Sequence, residues 1–116
     1  MPRRIRAASV LLLLSIGPAL ATPWLTGKDV RTALSGGLFR HADTTKTVLQ
    51  SFSADGRTYF YDGSQQSEGR WEVRGDKYCA LWPPGKAWTC YRVARDSDLL
   101  TFVSPNGARY PVIKIN

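Results

Sequence analysis

The sequence predicts an α+β, mainly β domain. A short N-terminal helix packs on a six- or seven-stranded antiparallel meander, curled or half closed into a barrel and held by one disulfide. Three observations predict it. Turn signals recur at short intervals after residue 44, at Asp55-Gly56, Gly75-Asp76 and Asn106-Gly107, with Pro83-Pro84-Gly85-Lys86 as a longer tip. Turns this close leave no room for crossover helices, so adjacent strands must run antiparallel. The stretches between them, TVLQSF, RTYFY, RWEVR, YCALW, WTCYRV, LLTFV and RYPVIKI, are rich in β-branched and aromatic residues. Finally, both cysteines, Cys79 and Cys90, fall in one stretch, YCALWPPGKAWTCY, where they face each other across a hairpin.

The elements follow in order. Arg3, Arg4 and Arg6 precede an apolar run from Ala7 to Ile16, and Ala19-Leu20-Ala21 ends it with a small-x-small pattern. These are the parts of a secretory signal peptide, and the run is too short for a bilayer, which needs roughly 20 residues. Residues 1–21 are therefore read as a signal peptide and 22–116 as a single β-rich domain, periplasmic or secreted, with no membrane span after cleavage. Loss of three arginines leaves 13 basic residues against nine acidic ones, a net charge of +4. The charges are scattered, which argues against nucleic acid as a partner and for an envelope protein or an anionic envelope component.

Thr26-Gly27-Lys28-Asp29 has the form of a capping box, with Leu25 and Val30 as a hydrophobic staple. Val30, Ala33 and Leu34 give the helix a narrow apolar stripe, and Gly36-Gly37 stops it after about nine residues. Pro111 cannot donate to a ladder, so the last strand is expected at an edge or a bulge.

In an oxidising compartment Cys79 and Cys90 form a disulfide. Their pairing sets Leu81 opposite Trp88, and the Gly75-Asp76 turn sets Trp71 opposite Ala80 and Val73 opposite Tyr78. Strand alternation then sorts Trp71, Val73, Tyr78, Ala80, Trp82, Thr89, Tyr91 and Val93 onto an apolar face. Arg70, Glu72, Arg74, Lys77, Cys79, Leu81, Trp88, Cys90 and Arg92 fall on the charged one. Closing this short loop stabilises by roughly 2–3 kcal/mol. Leu81 and Trp88 are out of place among charges, so either another element, such as the N-terminal helix, covers them or they form an exposed contact spot. The binding candidates are Leu81, Lys86, Trp88 and Arg92.

Gly69-Arg70-Trp71-Glu72-Val73, Tyr78-Cys79, Trp82 and Cys90-Tyr91-Arg92-Val93 resemble the G-x-W…C…W…C pattern of small secreted proteobacterial domains of unknown function. That resemblance implies a periplasmic β-rich domain and carries no activity with it. Gly107-Ala108-Arg109-Tyr110 resembles a loop of periplasmic lysozyme inhibitors, which implies an inhibitory role for Arg109 and Tyr110.

Catalytic patterns are weak. The sole histidine, His41, reads as a solvent-exposed loop residue. There is no C-x-x-C spacing for redox work and no four-ligand set for zinc. Asp62, Glu68 and Glu72 are close enough in sequence for a small hydrolase, but Glu72 lies between Arg70 and Arg74, where a carboxylate is paired and solvated rather than tuned. Asp96-Ser97-Asp98 reads as a solvated turn. The expectation is a non-catalytic binding or envelope-associated module without cofactor or metal.

Overall fold

A computed structural model describes residues Pro23 to Asn116; the leader predicted at residues 1–21 lies outside them. One helix, α1 (Gly27–Leu34), precedes eight strands: β1 (Gly37–His41), β2 (Leu49–Phe52), β3 (Arg57–Tyr61), β4 (Gln66–Arg74), β5 (Lys77–Leu81), β6 (Thr89–Asp96), β7 (Leu99–Val103) and β8 (Arg109–Lys114). Each strand pairs antiparallel with the next, and β8 returns to β1, so the sheet is a closed barrel.

The count and the closure correct the sequence expectation of six or seven strands in a curled or half-closed sheet. The additional strand is Gly-Leu-Phe-Arg-His, directly after the Gly36 bend. It pairs with β2 through Leu38↔Ser51 and with β8 through Arg40↔Ile113, and without it the barrel would have two open edges. Pro111 is accordingly not on an edge. It stands where the β1 ladder ends: its carbonyl accepts from Ala42 N–H at 2.9 Å, and the bond its missing N–H would have made is the one the ladder lacks.

The helix forms as its cap predicts. Thr26 Oγ1 accepts the Asp29 N–H at 3.4 Å, and the helix ends at Leu34, with Gly36 at a φ of 75°. Gly27 N–H donates to Asp76 Oδ1 at 2.7 Å, which fastens the helix to the β4–β5 turn. Its buried residues Val30 and Leu34 join the barrel core and close that end. Within, the Phe52 ring meets Phe39, Trp71, Tyr78 and Phe102 edge-on or nearly so, with centroids 5.3–6.2 Å apart. Trp71 satisfies its indole N–H on the Ser53 carbonyl at 2.8 Å; such a partner is what a buried tryptophan requires.

The registers read from the turns hold: Trp71↔Ala80, Val73↔Tyr78 and Cys79↔Cys90 are paired, and the two sulfurs are bonded. Trp71 is buried and Glu72 exposed. Thr89, sorted with the apolar face, is exposed, and Cys79, sorted with the charged face, is fully buried. Outward positions of β4 and β5 carry Arg70, Glu72, Arg74 and Lys77, where a barrel facing lipid would need an apolar band. No helix among the described residues is long and apolar enough to cross a membrane.

Candidate functional site

Because the strands alternate in direction, the barrel has two unlike ends. Helix α1 and the tight turns after β2, β4 and β6 occupy one. At the other, the strands are joined by the links 42–48, 62–65, 82–88 and 104–108, three of them five residues or more, and the barrel opens into a cup of about 590 Å³. Eight strands enclose a space that side chains can fill or that can hold one small ligand; here the helix end is filled and the far end is not.

The floor of the cup is polar. Buried Gln50 donates through Nε2 to Thr58 Oγ1 at 3.2 Å and to the Tyr78 hydroxyl at 2.9 Å. The Thr58 hydroxyl in turn donates to the Ser51 carbonyl at 2.8 Å. Burial pushes the Tyr78 phenol well above its ordinary pKa, so it stays protonated. Since Gln50 supplies the hydrogen of their shared bond, the Tyr78 proton is free to donate into the cup.

Two aromatic banks form the wall. His41 meets Phe60 edge-on at 5.6 Å, and Phe60 meets Trp82 at 6.1 Å. Opposite them Tyr78 stacks on Tyr91 at 5.3 Å, and Tyr91 meets Tyr110 at 6.2 Å. Trp82 reaches its place because Gly69, one strand over, has no side chain: a Cβ there would lie 2.6 Å from the indole and 2.6 Å from the Leu81 carbonyl oxygen. The glycine of the Gly69-x-Trp71 pattern is thus a seat for a ring.

His41 corrects the sequence reading. It ends β1, half-buried, and its Nε2 is buried without a hydrogen-bond partner. Burial lowers its pKa below 6.5, opposed in part by Gln50 and Asp43, so the imidazole is neutral at pH 7. An unpartnered buried nitrogen carries a desolvation cost of about 1–3 kcal/mol, which a ligand group bonded to it would relieve. Among the described residues, no Lys, Arg, Asp or Glu lines the cup. The lining suits an uncharged, flat, mainly apolar molecule with polar groups that reach Tyr78 and His41.

The sequence-predicted binding set lies elsewhere. Leu81 and Trp88 are half-buried, while Lys86 and Arg92 are exposed; the β5–β6 ladder ends at Ala80↔Thr89, just short of Leu81 and Trp88. The helix does not supply their cover, since its buried side chains turn into the core. Instead the Arg74 guanidinium sits 4.5 Å from the centre of the Trp88 ring. Arg74 is on β4 and Trp88 precedes β6, so their contact passes over the outer face of β5. Cys79 lies on that face, which accounts for its burial. Arg92 stacks on Trp24 at 3.7 Å.

Arg109 is exposed at the start of β8, and Tyr110, 42% exposed, belongs to the rim of the cup. Asp62 is exposed and bonds the turn that holds it, through Ser64 and Gln65 N–H groups; those bonds lower its pKa. Glu68 lies on the exposed side of β4 and Glu72 pairs with Arg74. None of the three lines the cup. The sequence pattern does not bring His41, Gln50, Phe60 and Trp82 together as one site; the signal it does carry is the alternation of Gly37, Phe39 and His41 along β1. No family model, curated protein or solved structure matches the chain.

Proposed function

We propose that the chain is a non-catalytic, exported binding module that takes one small, uncharged, largely aromatic molecule into the open end of its barrel. The observation that carries this reading is the cup itself: aromatic walls free of charged side chains, with Tyr78 and His41, whose Nε2 has no hydrogen-bond partner, both among its lining residues. A disulfide and the leader-like start support export, as does the resemblance to small secreted proteobacterial domains. The carboxylates Asp62, Glu68 and Glu72 are not among the cup's lining residues, and Asp62 and Glu72 are engaged by their own turn and by Arg74, which supports the non-catalytic part.

Neutral naphthol serves as a probe, followed by tryptophan fluorescence and calorimetry. It should bind, naphthoate should bind at least about tenfold more weakly because burying its charge is costly, and Trp82→Ala should abolish capture. Absence of naphthol binding, or binding that Trp82→Ala leaves intact, rejects the cup as the site.

An inhibitor reading draws on Arg109 and Tyr110, both at the open end. It requires the protein to slow a lysozyme and Arg109→Ala to remove that effect.

A further inference from the structure

Away from the cup, the outer wall holds a second feature. The registers Arg74↔Lys77 and Lys77↔Arg92 set three cations side by side across β4, β5 and β6. Their neighbours Val73, Tyr78 and Val93 pack into the core, so all three project outward. Directly opposed residues in an antiparallel pair have Cβ atoms about 5 Å apart, and like charges so placed repel.

Carboxylates offset this row only in part. Glu72 pairs with Arg74, and Asp76 commits one oxygen to the Gly27 N–H. Among the described residues, neither salt bridge involves Lys77 or Arg92. Two of the three cations are also held in place. Arg74 lies over Trp88 and Arg92 over Trp24, contacts that use the guanidinium faces; Arg92 keeps its N–H edges, while Arg74 donates its Nε–H to Glu72 and has its two terminal nitrogens left to offer.

Trp24 is itself anchored. Beyond Arg92, β5 has turned away from β6, and residues 23–25 take its place: Leu25 N–H donates to the Val93 carbonyl at 2.8 Å and Arg95 N–H to the Pro23 carbonyl at 2.9 Å. Between this segment and the β4–β5 turn lies a notch of about 480 Å³, lined by Trp24, Arg74, Lys77 and Arg92 together with one carboxylate, Asp76, whose Oδ1 is held by the Gly27 N–H.

We infer that this notch binds a tetrahedral oxyanion of the phosphate-monoester or sulfate kind, its oxygens shared among Arg74, Lys77 and Arg92. A dianion there would remove the mutual repulsion of the row, and preset guanidinium edges match its oxygens. The site is independent of the cup, on the opposite surface of the same strands.

The test uses inorganic phosphate, glycerol phosphate, and phosphatidylcholine vesicles with and without phosphatidic acid, against the disulfide-bonded protein. Lys77→Gln and Arg92→Gln should each weaken binding about tenfold, the loss of one charge-assisted hydrogen bond. Lys114→Gln, exposed on β8, should leave it unchanged. Binding of the soluble phosphates with that variant pattern assigns a free or soluble ester. The same pattern seen only with phosphatidic acid vesicles assigns a lipid headgroup. The inference fails if no probe binds, if Lys77→Gln has no effect, or if Lys114→Gln weakens binding equally, which would indicate general charge attraction.

Discussion

Replacing Gly69 with alanine tests the construction of the cup most directly. The added methyl would stand 2.6 Å from Trp82 Cε3, 2.9 Å from its Cδ2 and 2.6 Å from the Leu81 carbonyl oxygen. Carbon contacts are comfortable at about 3.5–4.0 Å, so the indole must retreat by roughly 1 Å. Phe60 stands in edge-on contact with the same indole, which restricts that retreat. Overpacking of this kind costs about 1–3 kcal/mol, a downward shift of about 1 M in the urea midpoint at an ordinary slope. Circular dichroism through a urea series reads the stability, and naphthol titration reads the cup. Both should fall together. In a Trp82→Ala background the ring conflict is gone and only the carbonyl conflict remains, so the same substitution should cost less; the difference is the coupling between the two residues. A Gly69→Ala variant within about 0.5 kcal/mol of the parent, the range of a neutral surface change, and with undiminished naphthol affinity would refute the seat-and-ring arrangement.

Phe52→Ala removes the ring around which Phe39, Trp71, Tyr78 and Phe102 gather and should cost about 3–5 kcal/mol in urea unfolding. Replacing Cys79 and Cys90 together by alanine, a separation of 11 residues, should lower stability by about 3 kcal/mol on the chain-entropy argument, and reductant should lower the parent by a similar amount. Because burial holds the His41 pKa below 6.5, the unfolded chain takes up a proton as pH falls through that value while the folded chain does not. Stability should therefore decline from about pH 6.5 downward until the folded value is reached, and His41→Gln should flatten that part of the melting-temperature curve.

Local patterns carried the strand registers because two short-range devices set them. The Gly75-Asp76 turn fixes Trp71 against Ala80, and the cysteine pair fixes β5 against β6. Strand β1 escaped because its signal is not local. Five residues after two glycines, with Arg40 and His41 among them, have little strand character of their own. What makes them a strand is pairing with β2 on one flank and with β8, some seventy residues on, across the other. Missing β1 hid the closure, and with it the inward turn of His41. The cup was half legible: alternation marks Tyr78, Trp82 and Tyr91 as one face. Which end of the barrel stays open is decided by where α1 packs, and no strand pattern contains that. Burial of Cys79 was likewise out of reach, since it follows from Arg74 and Trp88 meeting over β5.

The two candidate sites share a backbone, and this gives the disulfide a role beyond its stabilising energy. Lys77 adjoins Tyr78, and Arg92 adjoins Tyr91; in each pair one residue faces the outer notch and the other the cup. A slip of one residue between β5 and β6 would exchange these faces, sending a cation into an uncharged cavity and a tyrosine onto the wall. Hydrogen bonding alone opposes such a slip weakly in a five-residue strand. The Cys79–Cys90 bond, at the register midpoint between the tight turn and the Pro-Pro-Gly tip, forbids it covalently. On this view the staple keeps the apolar and cationic functions of one hairpin on their own sides, and a reduced protein that still folds should lose selectivity at both sites before it loses the barrel.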